Sequence, residues 1–291
     1  MSTSGTGSGA SAESPLLYGE TPFFLDRAGC PMYAVHHPAA AGKASHAAVL
    51  IVPALAGEQL GGYRSEVLLG RALARLGLDS LRFHPRGQGD SGGASSMLTL
   101  ATFAEDVAAA RAELLRRSGG TRCVMVGVRF GALALAESLG AADAPHALVL
   151  WEPIHDPAAY FRELMRSVIF SMVAKGQRSG LTVETMLATL ERDGVVDVLG
   201  YPLHRELVTG STRTLGEALA GWSGPTLLAQ IDTRRSLARP HANFAEALRA
   251  RGVAVDVREI RSELSWYYLQ NPAWESAELV KETADWIVAH A

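Results

Sequence analysis

The sequence predicts an α/β protein with a mostly parallel, twisted sheet of about eight strands, helices on both faces and a helical cap. Short apolar runs alternate with segments of helical periodicity over most of the chain. One run, residues 124–128, ends in Gly127-x-Arg129-x-Gly131 and leads into an Ala/Leu-rich helical pattern. Residues 156–222 break the alternation, and we assign them to the cap. Residues 16–155 and 223–291 then form the core.

The composition fits one large domain. The chain has 291 residues, of which 48% are hydrophobic, and this is ample for an α/β core with an inserted cap. The formal net charge of -3 gives no indication of a nucleic-acid partner or an anionic membrane surface. No apolar run approaches the ~18 residues of a membrane span. We therefore expect neither a nucleic acid nor a membrane as partner.

The N-terminal residues and the cysteines indicate the cellular location that we expect. Residues 1–15 are rich in Ser, Gly and Ala and lack the basic and apolar regions of a signal peptide, so we expect a disordered leader. The two cysteines do not make a disulfide framework. A reducing cytoplasm is the expected location, and the formation of a homodimer stays open.

The elements of the first half follow from local patterns. Alternating segments around a turn predict an edge hairpin, and a continuous apolar run predicts a strand that is covered on both faces. The expected elements are hairpin strands at 21–26 and 32–37, core strands at 47–53 and 78–83, and helices at 63–76 and 100–118. Loops at 54–62 and 84–91 follow the two core strands.

The second half starts with the elbow strand and its helix, which we expect to end near Gly140. The expected core elements are strands at 146–151, 225–231 and 253–260 and helices at 240–251 and 272–289. In the cap we expect helices at 158–175, 183–192 and 215–220, with a short strand or turn at 195–201. Strands that alternate with helices imply right-handed crossovers and a parallel sheet.

A strand, a tight turn and a helix with this glycine spacing indicate the nucleophile elbow of an α/β-hydrolase, where Gly-x-Ser-x-Gly is usual. Arg129 stands at the position of the serine. A guanidinium stays protonated in proteins and is not a nucleophile. Ligands of such sheets bind beyond the carboxyl ends of the strands, so Arg129, Glu152, His84 and Asp232 should surround one cleft.

The chain resembles the exosortase-system-associated hydrolases over nearly its whole length from residue 20. The matching segments are Pro22-Phe23-Phe24-Leu25, His37-Pro38, Val52-Pro53 with Glu58, Gly87-x-Gly89-Asp90-Ser91, the elbow motif, Leu150-Trp151-x-Pro153, Gly200-Tyr201 and Trp266. The resemblance implies the α/β-hydrolase fold and an arginine at the elbow. The name "hydrolase" in that group rests on the fold, and a fold does not carry a function.

The residues argue against a Ser-His-Asp triad. Arg129 replaces the nucleophile, and Asp232 lacks the usual turn that presents the acid. No histidine occurs between His241 and His290, where the catalytic base normally follows the last strand. An acid at Glu58, in the loop that would form the oxyanion hole, also opposes acyl hydrolysis.

Arg129, Glu152 and His84 are the candidate catalytic residues. A guanidinium at the start of the elbow helix suits a carboxylate, enolate or phosphate oxygen, but a structural pair with Glu152 or Glu58 is an equal alternative. Glu152 is a general base or only the counter-ion of Arg129. His84 suits proton transfer, and a hydrogen-bonded structural histidine is its alternative.

Six further residues are candidates for contact with a substrate. They are Glu58, Arg86, Phe130, His155, Tyr201 and Trp266. Arg86 is more typical of a residue that braces its loop, and the aromatic residues are more typical of packing. The histidines and cysteines show no metal-binding spacing, so we expect no metal and no cofactor.

These residues favour a non-hydrolytic enzyme that acts on a small acyl, carboxylate or enolisable metabolite. Arg129 would hold the developing negative charge while Glu152 or His84 moves the proton. Acyloxy elimination or epimerisation fits such a site, by analogy with members of this fold that act in natural-product biosynthesis. A catalytically inactive protein that binds a ligand or partner is one alternative, and a hydrolase with a rearranged site is another.

Overall fold

A computed structural model of the chain describes residues 19–27, 29–40, 46–140, 144–176, 180–233, 236–261, 266 and 277–291. The expected leader lies outside these residues, as do the first residues of the expected last helix. Within them, no helix is long and apolar enough to cross a membrane.

The strands build one large sheet and one small hairpin. They are β1 Thr21–Arg27, β2 Cys30–His37, β3 Ala47–Val52, β4 Asp79–Phe83, β5 Arg122–Val128, β6 Ala147–Trp151, β7 Val195–Val198, β8 Tyr201–His204, β9 Thr226–Asp232 and β10 Val255–Arg261. The large sheet has eight strands in the order β1-β2-β4-β3-β5-β6-β9-β10. Strand β2 pairs antiparallel with both β1 and β4, and all other pairs in this sheet are parallel. This topology confirms the predicted fold class.

The helices follow the strands in the alternation that the sequence predicts. They are α1 Gly57–Arg75, α2 Leu100–Ser118, α3 Gly131–Glu137, α4 Pro157–Ala174, α5 Val183–Asp193, α6 Arg205–Gly210, α7 Leu215–Ala218, α8 Arg239–Ala250 and α9 Ala277–His290. Side chains fix several of the helix starts. Thr99 and Thr102 form a capping box at α2, and Asp156 accepts two backbone N–H bonds at α4.

The sheet separates two apolar cores. In β3, Leu50 faces the core beneath α2 and α3, whereas Val49 and Ile51 face the core beneath α1 and α9. Successive side chains of a strand point to opposite faces, so a strand that is covered on both sides needs an unbroken apolar run. That requirement explains why the central strands could be predicted from the sequence.

Helix α1 begins earlier than the sequence predicts. Residues 57–62 were expected in a loop because three glycines weaken a helix, but α1 starts at Gly57. Two of its glycines lie at close contacts instead. A Cβ at Gly70 would stand 2.9 Å from the His37 ring, and one at Gly57 would stand 3.1 Å from the Tyr201 ring. Packing against the sheet therefore outweighs local helix propensity.

The residues assigned to the cap contain α4 to α7 and the hairpin of β7 and β8. The sequence predicted a short strand or turn at 195–201, and the chain forms two antiparallel strands there. Leu199 and Gly200 join them with φ values of 55° and 90°. Two successive residues with positive φ are the geometry of a tight hairpin turn, and Gly200 adopts it without a steric penalty.

Candidate active site

The turn between β5 and α3 has the geometry of a nucleophile elbow. Arg129 has a φ of 51°, in the left-handed region that a side chain other than glycine adopts at a cost. A Cβ at Gly131 would lie 2.3 Å from the Pro53 carbonyl oxygen, and one at Gly127 would lie 2.7 Å from the Ala132 Cα. The two flanking glycines are therefore required sterically, and the turn presents Arg129 where a hydrolase presents its serine.

The Arg129 guanidinium pairs with Glu58, from the first turn of α1. Nε and Nη2 of Arg129 donate to the same oxygen, Glu58 Oε1, over 3.1 Å and 2.8 Å. The Tyr160 hydroxyl, from α4, donates to Oε2 over 2.9 Å. Both charged residues are buried, with 7% of Arg129 and 2% of Glu58 exposed. Of the two counter-ions that the sequence offered, the guanidinium pairs with the carboxylate of Glu58.

Burial and charge act in opposite directions on the Glu58 carboxyl. Removal from water raises its pKa above the ordinary value, and the Arg129 guanidinium and the Tyr160 hydroxyl offset part of that rise. The three hydrogen bonds occupy three of the approximately four acceptor positions of a carboxylate. Within the described part of the chain, one position on Oε2 has no donor.

Glu152 lies next to Arg129 but turns its carboxylate away from it. Its backbone has a φ of 42°, and its carbonyl oxygen accepts from Arg129 Nη1 over 3.4 Å. Its carboxylate binds elsewhere: Oε2 accepts from the Ile231 backbone N–H over 2.6 Å, and Oε1 lies 3.1 Å from His241 Nε2. The expectation that the Glu152 carboxylate approaches Arg129 is therefore not met, because β9 and α8 supply its partners.

His155 extends this chain of hydrogen bonds. Its Nε2 lies 2.7 Å from His241 Nδ1, and its ring packs against Phe244. A carboxylate only accepts, so His241 donates from Nε2 to Glu152. Burial and the neighbouring His241 lower the pKa of His155 to about 3. His155 thus lies in a half-buried pair with His241 rather than on the cavity wall.

Three other candidate residues are engaged in packing or in bracing a loop. His84 accepts from the Asp90 N–H over 3.0 Å, and burial lowers its pKa to about 4. Arg86 donates to Asp106 from both its backbone N–H and its Nε, which ties the loop after β4 to α2. Phe130 is fully buried and stacks on Tyr160 with ring centroids 5.5 Å apart.

A cavity of about 920 Å³ lies between the core loops and the cap. Its wall includes Glu58, Tyr201 and Trp266 from the residues that the sequence singled out. It does not include Arg129, Glu152, His84, Arg86, Phe130 or His155. Most of the wall is apolar, with side chains such as Leu55, Leu98, Leu164, Val168, Leu203 and Leu207. From the sequence we expected a small substrate, whereas a cavity of this volume suits a larger, mainly apolar substrate.

One backbone N–H of the loop after β3 is already bound to a side chain. In this fold a backbone N–H of that loop helps to stabilise an oxyanion. Here the Ala56 N–H donates to the Gln88 side-chain oxygen over 2.9 Å. The Gln88 amide in turn donates to the Ala54 carbonyl and to Gln59. Ala56 has a φ of 50°, so this loop is strained as well.

Sequence reasoning missed several residues of the site. Tyr160 lies 102 positions from Glu58 in the chain, and Ser95, which also lines the cavity, lies 109 positions from its partner His204. His241 was noted only because no histidine follows it until the tail. None of these residues forms a local motif. In the described part of the chain, no group of three His, Cys, Asp or Glu residues has the arrangement of a metal site.

No protein-family model matches the chain, and no curated protein does. Solved structures are similar in fold. Est1E from Butyrivibrio proteoclasticus, with bound ferulic acid, aligns with a TM-score of 0.65 and 17% identity over 92% of this chain and 98% of its own. DcsB in complex with its substrate analogue aligns at 0.61 and 16%, over 93% and 99%. Alpha/beta hydrolase domain-containing protein 10 from mouse aligns at 0.56 and 15%, over 93% and 100%.

Proposed function

On the α/β-hydrolase fold of this chain, we propose a non-hydrolytic enzyme that removes a proton next to a carbonyl group of a mainly apolar substrate. This step is common to epimerisation and to elimination of an acyloxy group. The proposal assigns Glu58 as the base and Arg129 as the residue that stabilises the negative charge. Glu58 takes the place of Glu152 and His84 because Glu58 lines the cavity and the other two residues do not.

The observation that carries the proposal is the position of Glu58 on the wall of a large apolar cavity, with Arg129 bound to its carboxylate from outside that wall. Apolar walls bind the substrate body, and a few polar groups then orient the reacting carbon. Burial raises the pKa of Glu58, which makes its carboxylate a stronger base than an exposed one. The remaining acceptor position on Oε2 is available for the proton.

The charges balance during such a step. Before proton transfer, the Arg129 guanidinium faces the Glu58 carboxylate. After transfer, Glu58 is neutral and the negative charge lies on the enolate oxygen of the substrate. Arg129 stays bound to Glu58 and acts on the enolate across it, so the site keeps the same net charge while the charge moves by a few ångströms. A preorganised cation in a site of low dielectric stabilises such a developing charge well.

The similar structures support the class of ligand. Est1E holds ferulic acid, an aromatic acid, in the same fold. We propose a ligand of related chemistry here, with an aromatic or alkyl body and an acyl group. A covalent acyl-enzyme at residue 129 is not part of the proposal, because Arg129 offers no nucleophile and the Ala56 N–H is already bound.

Isotope exchange tests the proposal without the natural substrate. The protein is incubated in deuterated buffer with 4-phenyl-2-butanone and with the ethyl thioester of 3-phenylpropanoic acid. Loss of the α-proton signals is followed by NMR. We expect exchange with the parent protein and its loss in Glu58→Gln. Glu184→Gln, which removes an exposed carboxylate of α5, is the matched control and should exchange like the parent.

Glu58→Gln removes a carboxylate that binds a buried arginine and lowers stability. The double variant Glu58→Gln/Arg129→Met removes both charges and provides a second test, because neutral replacement of a buried pair is often tolerated. Exchange that persists in either variant would refute the assignment of Glu58 as the base.

A second candidate function is binding without catalysis. The observation that favours it is the closed, buried Arg129–Glu58 pair, which can be purely structural. Thermal shifts separate the two functions. Probes that raise the melting temperature of the parent and show no exchange would favour a ligand-binding protein over an enzyme.

A further inference from the structure

We propose that Ser95 and His204 form a second reactive site in the same cavity. In this site Ser95 is a nucleophile that His204 activates towards esters with an apolar acyl chain. The proposal does not use Glu58 or Arg129, and it goes beyond the proton-transfer function above. Ser95 does not lie in a Gly-x-Ser-x-Gly motif.

The two side chains meet across the cavity between core and cap. Ser95 begins the short 3-10 helix Ser95–Met97 in the loop after β4, and His204 ends β8 of the cap. Ser95 Oγ lies 2.9 Å from His204 Nε2, within hydrogen-bond distance. Both residues are half-buried and both line the cavity. A hydroxyl and a ring nitrogen at this distance are the minimal arrangement for general-base activation of a nucleophile.

The neighbouring serine shows the contrast. Ser91 Oγ donates to the backbone carbonyl of His84 over 2.5 Å and so has no base to receive its proton. Ser95 Oγ instead faces a titratable nitrogen. The walls beside it carry Leu98, Leu203 and Leu207. An acyl chain on this surface would bring its carbonyl carbon to the hydroxyl.

The chemistry needs only an ester and water. Ser95 Oγ forms a bond to the ester carbonyl carbon while its proton passes to His204 Nε2. The ester C–O bond then breaks, and the leaving alkoxide takes that proton from His204. Water attacks the acyl-serine, gives a proton to His204, and releases the acid as Ser95 regains its hydrogen. No oxidant, reductant or metal takes part in these steps.

The pair lacks a carboxylate that would orient the base. Among the residues that the structure describes, no hydrogen bond or ion pair joins an acidic side chain to His204. In serine proteases the loss of this acid slows turnover by ~10⁴-fold. We therefore expect slow turnover, and stoichiometric labelling of Ser95 is a better readout than steady-state rates.

The test uses a long-chain alkyl fluorophosphonate with the full-length protein, followed by intact mass measurement and peptide mapping. We expect one adduct on Ser95. Ser96→Ala, which changes the exposed neighbour, should label at the parent rate, and Ser95→Ala should not label at this peptide. Absence of an adduct on Ser95, or an adduct on another serine only, would overturn the proposal.

His204→Gln separates a reactive pair from a tether between cap and core. A glutamine can still accept a hydrogen bond from Ser95 but is not a base at neutral pH. We expect an unchanged melting temperature and labelling slowed ~100-fold or more, the usual contribution of a general base. Equal labelling rates in the parent and in His204→Gln would mean that the hydrogen bond only tethers the cap.

Discussion

Glu66 is a buried carboxylate on the inner face of α1, and its replacement by glutamine should stabilise the protein at alkaline pH. Only 2% of the residue is exposed, and its Oε1 has no hydrogen-bond partner among the described residues. Burial raises the pKa of Glu66 from 4.5 to about 7, against a smaller opposing effect of the Arg82 guanidinium. The folded state therefore holds this proton more tightly than the unfolded state.

The sign and size of the effect on the free energy of unfolding follow from that difference in proton affinity. Below pH 4.5 the raised carboxyl pKa has no effect, because both the folded and the unfolded state are protonated. The cost grows as pH rises through about 7. Each pH unit in between corresponds to ~1.4 kcal/mol, so the ionised carboxylate lowers the free energy of unfolding by about 3 kcal/mol above pH 7. Glutamine has a similar shape and no charge, and it avoids this loss.

Urea unfolding of the parent and of Glu66→Gln at pH 5 and pH 9 measures the effect. The free-energy difference between variant and parent is compared at the two pH values, so any contribution from altered packing that does not depend on pH cancels. We expect the advantage of the variant to grow by ~2–3 kcal/mol from pH 5 to pH 9. Glu184→Gln, which removes an exposed carboxylate of α5, controls for the loss of one charge. An advantage of equal size at both pH values would refute the reasoning, as would a loss at pH 9.

Four further outcomes follow from the same contacts. Glu58→Gln, which breaks the Arg129–Glu58 pair, should lower the free energy of unfolding in urea by ~3–5 kcal/mol, and Glu58→Gln/Arg129→Met should lower it clearly less. A double variant that loses as much as Glu58→Gln or more would contradict a coupled pair. Arg129→Ser should show no new hydrolysis of p-nitrophenyl butyrate, because Glu58 and the bound Ala56 N–H still oppose an oxyanion; measurable gain over the parent would contradict this. In Glu66→Gln, which lacks the opposing titration of Glu66, stability should fall as pH drops below 6.5, because the pKa values of His84 and His155 are lowered to about 4 and about 3 and the folded state resists protonation; a melting temperature of this variant that is constant from pH 7 to pH 5 would contradict it. Ala56→Gly should raise the free energy of unfolding by ~1 kcal/mol, because it relieves a positive φ; destabilisation would mean that the Ala56 methyl group packs more favourably than we infer.

The sheet was largely predictable because its signals are local. Buried parallel strands need continuous apolar runs, and the elbow needs glycines at two fixed positions, so both features are visible in a short window of sequence. The start of α1 was not predictable, since Gly57, Gly61 and Gly62 weaken a helix locally and the close contact of Gly57 with Tyr201 is not visible in a short window of sequence.

The site was only partly predictable because strand order brings residues together but does not orient their side chains. Glu152 does lie beside Arg129, at the end of the neighbouring strand, as the topology requires. Its carboxylate nevertheless turns towards Ile231 and His241, where a backbone N–H and a ring nitrogen are its partners. The contact of Tyr160 with Glu58 depends on how the cap lies over the core, and no sequence pattern records that.

Strained backbone at the ends of neighbouring strands has a consequence for mutational screens. Ala56, Arg129 and Glu152 all have positive φ, and each costs ~1 kcal/mol or more. A library selected for heat resistance alone would enrich glycine at position 56, where the side chain is only a methyl group. At positions 129 and 152 the lost side-chain bonds oppose the same relief. Such a selection would therefore distinguish two kinds of strained position. At one kind only the path of the backbone requires the positive φ, and at the other the strained residue also holds a charged side chain in place.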